Sequence, residues 1–148
     1  MDMTPRILRK YSLVAMAGLF IFLTQTQASD LSRVSGSYRV VEKTALGAQT
    51  RVQLQIHLTN HGKGDLHIQG LTLWDFSHPE KGGRQTVAMV VRSGGSADAT
   101  QEFIIPHAEY ELWNRGTKPR LVLEVQSPGG RTTTEVVRLE RDASGRGN

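Results

Sequence analysis

From Arg51 to Thr59 apolar and polar residues alternate without a break, with Val52, Leu54, Ile56 and Leu58 on one parity and Arg51, Gln53, Gln55, His57 and Thr59 on the other. Successive side chains of a β-strand point to opposite faces, so this run buries one face and wets the other only as a strand. A helix would scatter the same four apolar residues around its circumference. The segment therefore demands a partner layer, and the rest of the chain has to supply it.

It does so in short pieces. Tyr38 to Thr44 reads as a strand rich in aromatic and β-branched residues, joined to the alternating run through Leu46-Gly47-Ala48. Asn60-His61-Gly62-Lys63-Gly64-Asp65 reads as a turn, because two glycines and an asparagine can supply the positive φ of a tight reversal. Leu66 and Ile68 restart the alternation, but Leu71, Leu73, Trp74 and Phe76 fall on mixed parities, and a β-bulge at Gly70 accounts for the change of phase. Ser77 to Gly83 and Ser93 to Asp98 read as loops flanking a strand from Thr86 to Arg92. Further strands are expected over Thr100 to Ile105, Arg120 to Gln126 and Thr132 to Arg141, the last two joined by Ser127-Pro128-Gly129-Gly130. Pro106 to Trp113 admits either a short helix, opened by proline and closed before Gly116, or an irregular crossover.

The amino terminus has a different logic. Arg6, Arg9 and Lys10 precede an apolar stretch from Leu13 to Leu23, and the chain turns polar at Thr24. A basic cluster, a short apolar run and small residues at Thr26 and Ala28 describe a secretory signal peptide cut after Ala28; a membrane-spanning helix needs about 20 apolar residues. The expected organisation is a signal peptide over 1–28, a linker over 29–35, one domain over 36–141 and a disordered Gly/Ser/Arg tail over 142–148. No membrane span is expected in the mature chain, and the expected location is the periplasm or the exterior.

The chain has no cysteine, which excludes disulfide scaffolds, thiol redox chemistry, thiolate metal sites and blue copper. An exported domain without disulfides rests on its core, and about 120 residues suffice for one. The formal charge of +4 falls to about +2 once the leader is removed, too little for the dense basic surface of a nucleic-acid binder.

About seven short strands separated by Gly, Pro and Asn turns, without sustained helical periodicity, predict an all-β, immunoglobulin-like Greek-key β-sandwich, with a small closed barrel as the alternative. The stretch Leu58-Thr59-Asn60-His61-Gly62-Lys63-Gly64-Asp65-Leu66-His67-Ile68 resembles the second-to-third strand region of bacterial extracytoplasmic immunoglobulin-like and fibronectin-type-III-like domains. There an Asn-x-Gly turn follows an alternating strand. The resemblance covers about a third of the mature chain and implies a spacer, docking or ligand-binding module rather than one defined activity.

Candidate chemistry is sparse. His57 and His67 would sit side by side, able to share a metal ion, if the strands on either side of the Asn60 turn paired as a hairpin. In a sandwich of the usual topology those strands lie in different sheets and the pair does not form. The mature chain would start Ser29-Asp30-Leu31 and keep only Met89, which leaves cuprous ion no soft ligand set. No Gly-x-Ser-x-Gly elbow, His-Glu-x-x-His helix or phosphate loop is present. Trp113, close to Tyr110 and directly ahead of Asn114-Arg115-Gly116-Thr117-Lys118, is the candidate binding residue together with Tyr110 and Arg115; alternatively the two aromatics plug the end of the sandwich. No cofactor is expected.

These residues predict a non-catalytic exported envelope module that acts by protein contact or assembly support, its partner another envelope or secreted protein. A contact would use the loops around Trp113 or an edge strand open to β-augmentation. The alternative is a periplasmic metal or small-ligand carrier using surface histidines. A minimal hydrolase would require two carboxylates, or a histidine and an acid, to converge in a pocket.

Overall fold

The computed structural model describes residues 33–74 and 83–143. Signal peptide, cleavage site, most of the linker, Phe76, His78 and the end of the tail lie outside the described residues. In chain order the elements are β1 (Val34–Leu46), β2 (Gln49–Asn60), β3 (Leu66–Trp74), β4 (Arg84–Val91), β5 (Ser96–Pro106), α1 (His107–Asn114), β6 (Arg120–Gln126) and β7 (Thr132–Arg141). The described protein is all-β apart from α1, and no described helix is long and apolar enough to cross a membrane.

The strands hydrogen-bond in the order β4-β3-β6-β7-β1-β2-β5. Every pairing is antiparallel except β1 with β7, which run parallel over Gly36–Tyr38 against Leu139–Arg141. This short parallel join links β4-β3-β6-β7 to β1-β2-β5 in one mixed sheet. The sheet curls until its two ends approach, and the Gln85 side-chain amide on β4 donates to the Glu102 carbonyl on β5 at 3.0 Å. The result is nearly barrel-shaped.

Inside lies the row the sequence announced. Val52, Leu54, Ile56 and Leu58 of β2 are buried with Leu66, Ile68, Leu71 and Leu73 of β3, Leu121, Leu123 and Val125 of β6, and Val137 and Leu139 of β7. Each comes from one parity of its strand, except that β3 changes parity between Ile68 and Gly70, where both its pairings slip by one residue. Gly70 has a second use. Arg84 on β4 and Glu124 on β6 reach across β3 at this point in a two-pronged ion pair of 2.7 and 2.6 Å, and a Cβ at residue 70 would come within 2.7 Å of the carboxylate. The Arg84 hydrogen bonds hold the Glu124 carboxyl below its ordinary value.

Some expectations are corrected. β1 begins at Val34, so residues 34 and 35 belong to the domain and not to a linker. Asp142 is not wholly tail, since its N–H donates to the Tyr38 carbonyl at 2.9 Å. Residues 106–113 resolve in favour of the helix, with Pro106 as N-cap and Glu109 in the first turn. The helix stops because Gly116 turns the chain at φ +101°, its N–H returning to the Trp113 carbonyl. The turn after Asn60 works differently from the glycine account: positive φ occurs at Gly47, Gly94, Gly116 and Gly130, not at Gly62 or Gly64.

Gly36 sits at a closely packed point of the interior. A Cβ there would lie 2.7 Å from Leu139 Cδ2, 3.0 Å from Leu58 Cδ2 and 3.3 Å from Val137 Cγ1. These are branched side chains locked in a dense core, so relief requires rotamer or backbone shifts. Gly36→Ala is expected to cost about 2 kcal/mol, seen as a lower urea midpoint with an unchanged slope.

Candidate functional site

The strand register assembles a row that the linear sequence does not display. Ser37 on β1 stands opposite His57 on β2, which stands opposite Asp98 on β5, all on the outer face. His57 Nδ1 and Asp98 Oδ1 are 2.9 Å apart. With Tyr38, Arg39, Gln55 and Asp142 these three line a cleft of about 390 Å³. Arg39 donates to the Gln55 side-chain oxygen at 2.5 Å, so guanidinium and amide form a second polar row beside the first.

Serine, histidine and aspartate in sequence across three strands invite comparison with a hydrolytic triad, but the surroundings are wrong for one. Ser37 Oγ makes no hydrogen bond to the imidazole among the described residues. Gly36 to Tyr38 is paired on both sides, to β2 and to β7, and His57 is paired on both sides as well, so the ladders occupy the backbone N–H groups that an oxyanion hole would need. Half of the histidine and more than half of the aspartate face water, where charge stabilisation is weak. The row can hydrogen-bond a polar surface.

The histidine pair does not form. β6, β7 and β1 separate β3 from β2, so His67, opposite Val90 and Gln126, lies far along the sheet from His57. No group of three or more metal-ligating side chains occurs among the described residues. The hairpin reading fails because the chain crosses between the two halves of the sheet at the Asn60 turn.

The aromatic candidates are placed by α1. Tyr110 and Trp113, three residues apart, share the helix face that turns inward, and Trp113 is only 2% exposed. Its ring meets Tyr38 and Tyr110 edge to face at 6.0 and 6.1 Å. Trp113 and Tyr110 are both buried, and with Tyr38 they close one end of the core. Arg115 is exposed and its N–H caps α1 by donating to the Glu111 and Leu112 carbonyls. Around this cluster Lys43 lies over the Tyr110 ring at 5.2 Å from its centre. Burial pushes the Tyr38 phenol above its ordinary value, against the opposing charge of Arg141.

A second concave feature follows the same end. Tyr38, Trp113, Asn114, Thr117, Lys118 and Arg141 are among the residues lining a groove of about 280 Å³ between the α1–β6 connection and the end of β7. Lys118 is ion-paired with Glu140, and Arg141 donates to the Asn114 side-chain oxygen at 3.1 Å.

A third feature is the seam where the sheet nearly closes. β5 is bonded to β2 along its whole length, and among the described residues no strand is paired with its other side. Val87 and Met89 of β4 and Ala97 and Ala99 of β5 pack on the core there but stay partly open.

No protein-family model matches the sequence, and no curated protein matches it. Among solved structures, a Northeast Structural Genomics Consortium target is similar with a TM-score of 0.45 and 7% identity, over 72% of this chain and 83% of that one. A protein from Archaeoglobus fulgidus is similar with a TM-score of 0.38 and 12% identity, over 70% of this chain and 87% of that one.

Proposed function

We propose that this chain is an exported, non-catalytic envelope module of the immunoglobulin-like sandwich class that docks a partner protein by strand addition at the β4–β5 seam. The seam is the observation that carries this reading. Apart from the Glu102 carbonyl, which the Gln85 side chain engages, the 11-residue edge strand β5 presents backbone groups on a side that no described strand pairs with, beside an apolar strip of Val87, Met89, Ala97 and Ala99. An added strand would satisfy the backbone and cover the strip at once. The small alanines leave room for the partner's side chains, which is where selectivity would come from. The sandwich class is supported by strand order: β1-β2-β5 on one side and β4-β3-β6-β7 on the other, with the first strand joined in parallel to the last, is a Greek-key arrangement. The basic, apolar and small-residue pattern of residues 1–28 supports export.

The test is co-purification from crosslinked cells. Protein recovered from the envelope with Ser29 as its first residue is expected to carry a partner, which Ala99→Lys loses and Thr134→Lys, on the outer face of β7, retains. A charged side chain at the seam blocks insertion while a surface lysine elsewhere does not. Recovery of the protein from the cytosol with Met1 intact, or equal capture by the Ala99→Lys variant, would defeat the reading.

A further inference from the structure

Three connections close the end of the molecule away from α1. Thr59 stands opposite Ser96, Leu66 opposite Val91 and Gln126 opposite Thr132, so residues 61–65, 92–95 and 127–131 lie at that one end. Each carries a single lysine or arginine, Lys63, Arg92 and Arg131, among glycine, serine, proline and histidine, and the three share one acid, Asp65. All three cations are exposed, and among the described residues their side chains have no ion-pair or hydrogen-bond partner. Asp65 is engaged by the Ser93 N–H at 2.9 Å. At the other end α1 and its exit set Glu109 and Glu111 against Arg115 and Lys118, which balance. Unmatched positive charge therefore collects at one pole.

The pole is tied down. Asn60 N–H donates to the Gly95 carbonyl, its side chain to the Val91 carbonyl, and Ser93 Oγ to the Gly62 carbonyl at 2.8 Å. The spread of the cations then selects the ligand. Arg92 follows β4 and Arg131 precedes β7, with β3 and β6 between them, which separates their backbones by roughly 14 Å along the sheet at about 4.8 Å per strand. Lys63 follows β2, in the other half of the sheet. Such a spacing is too wide for one small anion to hold all three. Nor do they serve the cavity at this end, about 260 Å³ beside His67, Gln126 and the β6–β7 turn, whose wall contains no lysine or arginine.

We propose that this end docks on an anionic phospholipid surface, with Lys63, Arg92 and Arg131 each meeting headgroup phosphates. A bilayer offers negative charge over a plane, and these loops offer positive charge over an area rather than along a groove. Free phosphate satisfies one cation at a time. Since the three connections carry no large apolar side chain, the contact stays at the headgroups and is electrostatic. It does not rest on strand addition at the seam.

Cosedimentation with vesicles of the protein recovered from expressing cells tests this. Binding is expected to phosphatidylcholine and phosphatidylglycerol mixed in equal parts, and not to phosphatidylcholine alone. It is expected to fall away as salt rises from about 0.01 M to about 0.15 M, over which the screening length shortens from about 30 to about 8 Å. Lys63→Gln, Arg92→Gln and Arg131→Gln are each expected to weaken it about fivefold, the share of one cation near an anionic leaflet. Arg138→Gln, which removes the same charge from the outer face of β7, is expected to leave it nearly unchanged. Gly129→Lys adds a cation at the same end, where a side chain meets open space, and is expected to strengthen binding about fivefold. Loss of folding would not confine such a gain to the anionic vesicles. No vesicle binding, equal binding to phosphatidylcholine alone, an equal loss in Arg138→Gln, or retention by dextran sulfate without vesicle binding overturns the assignment.

Discussion

Leu58→Ala is expected to destabilise the protein by about 4 kcal/mol, toward the upper end of what a buried leucine costs. The reason is its neighbours. Leu58 is fully buried, and on the ladder it stands between Gly36 of β1 and Ala97 of β5. Loss of a large side chain is softened when adjacent side chains swing into the space, and the cost grows with the volume that stays empty. Glycine and alanine have nothing to swing. The same geometry predicts coupling with the glycine: in the Leu58→Ala background one of the atoms that opposes a Cβ at position 36 is gone, so Gly36→Ala loses part of its penalty. Leu139 Cδ2, at 2.7 Å from that position, retains the remainder. A double-mutant cycle by urea unfolding is expected to give a coupling of about 1 kcal/mol or more; strict additivity would show that the two residues do not share one space.

That leucine was legible in the sequence, and its cost was not. Parity of apolar residues located β2, β6 and β7 nearly to the residue, because one-sided burial writes itself as period two. Bounds were poorer at β1 and β5, which extend to Val34 and back to Ser96 through stretches whose serine, glycine and alanine residues write only a weak apolar alternation. There the strand is held by its pairing with β2, a long-range property. The bulge between Ile68 and Gly70 was readable because it changes parity; the register slip in β1 between Val40 and Glu42 was not, because the residues that follow are exposed on both faces. The candidate sites were harder still. Ser37, His57 and Asp98 come together only through a register that joins residues 20 and 41 positions apart, and no local pattern encodes which strand lies beside which. His57 and His67 were paired in one reading by a hairpin that the strand order forbids. Trp113 shows why: a tryptophan ahead of a basic loop looks the same in sequence whether its ring faces water or core. Only the spacing to Tyr110, one helical turn, pointed inward.

Asn60 shows the same limit from the other side, and it carries the second large effect. It continues the inward parity of Val52, Leu54, Ile56 and Leu58, and it is fully buried. Its side-chain nitrogen donates to the Gly64 carbonyl at 2.8 Å and the Val91 carbonyl at 3.1 Å, while its oxygen accepts from the Gly62 N–H at 2.9 Å. Its backbone adds a reciprocal pair with the loop after β4, Asn60 N–H to the Gly95 carbonyl and Gly94 N–H to the Asn60 carbonyl. One amide therefore fastens the β2–β3 crossover to the end of β4, in place of the positive-φ glycines expected of this turn. Asn60→Ala is expected to cost about 3 kcal/mol, because three hydrogen bonds go and the Val91 carbonyl stays buried without its donor.

Asn60→Asp sharpens the point. It keeps the acceptor for Gly62 but turns an oxygen toward two carbonyl oxygens, so the ionised form is disfavoured by burial and by repulsion, and the folded-state pKa rises above the unfolded value. A group raised in this way is least harmful below its unfolded pKa, where it is protonated in both states, and its penalty grows as pH rises from there toward the folded value. Relative to the parent protein, Asn60→Asp is therefore expected to be less stable than Asn60→Ala at neutral pH and to recover on acidification, when the protonated carboxyl can donate to one of the two carbonyls. Urea midpoints at neutral and mildly acidic pH check this directly. If the difference from the parent were the same at both, the side chain at position 60 would not be facing those carbonyls, and the crossover would have to be held by something else.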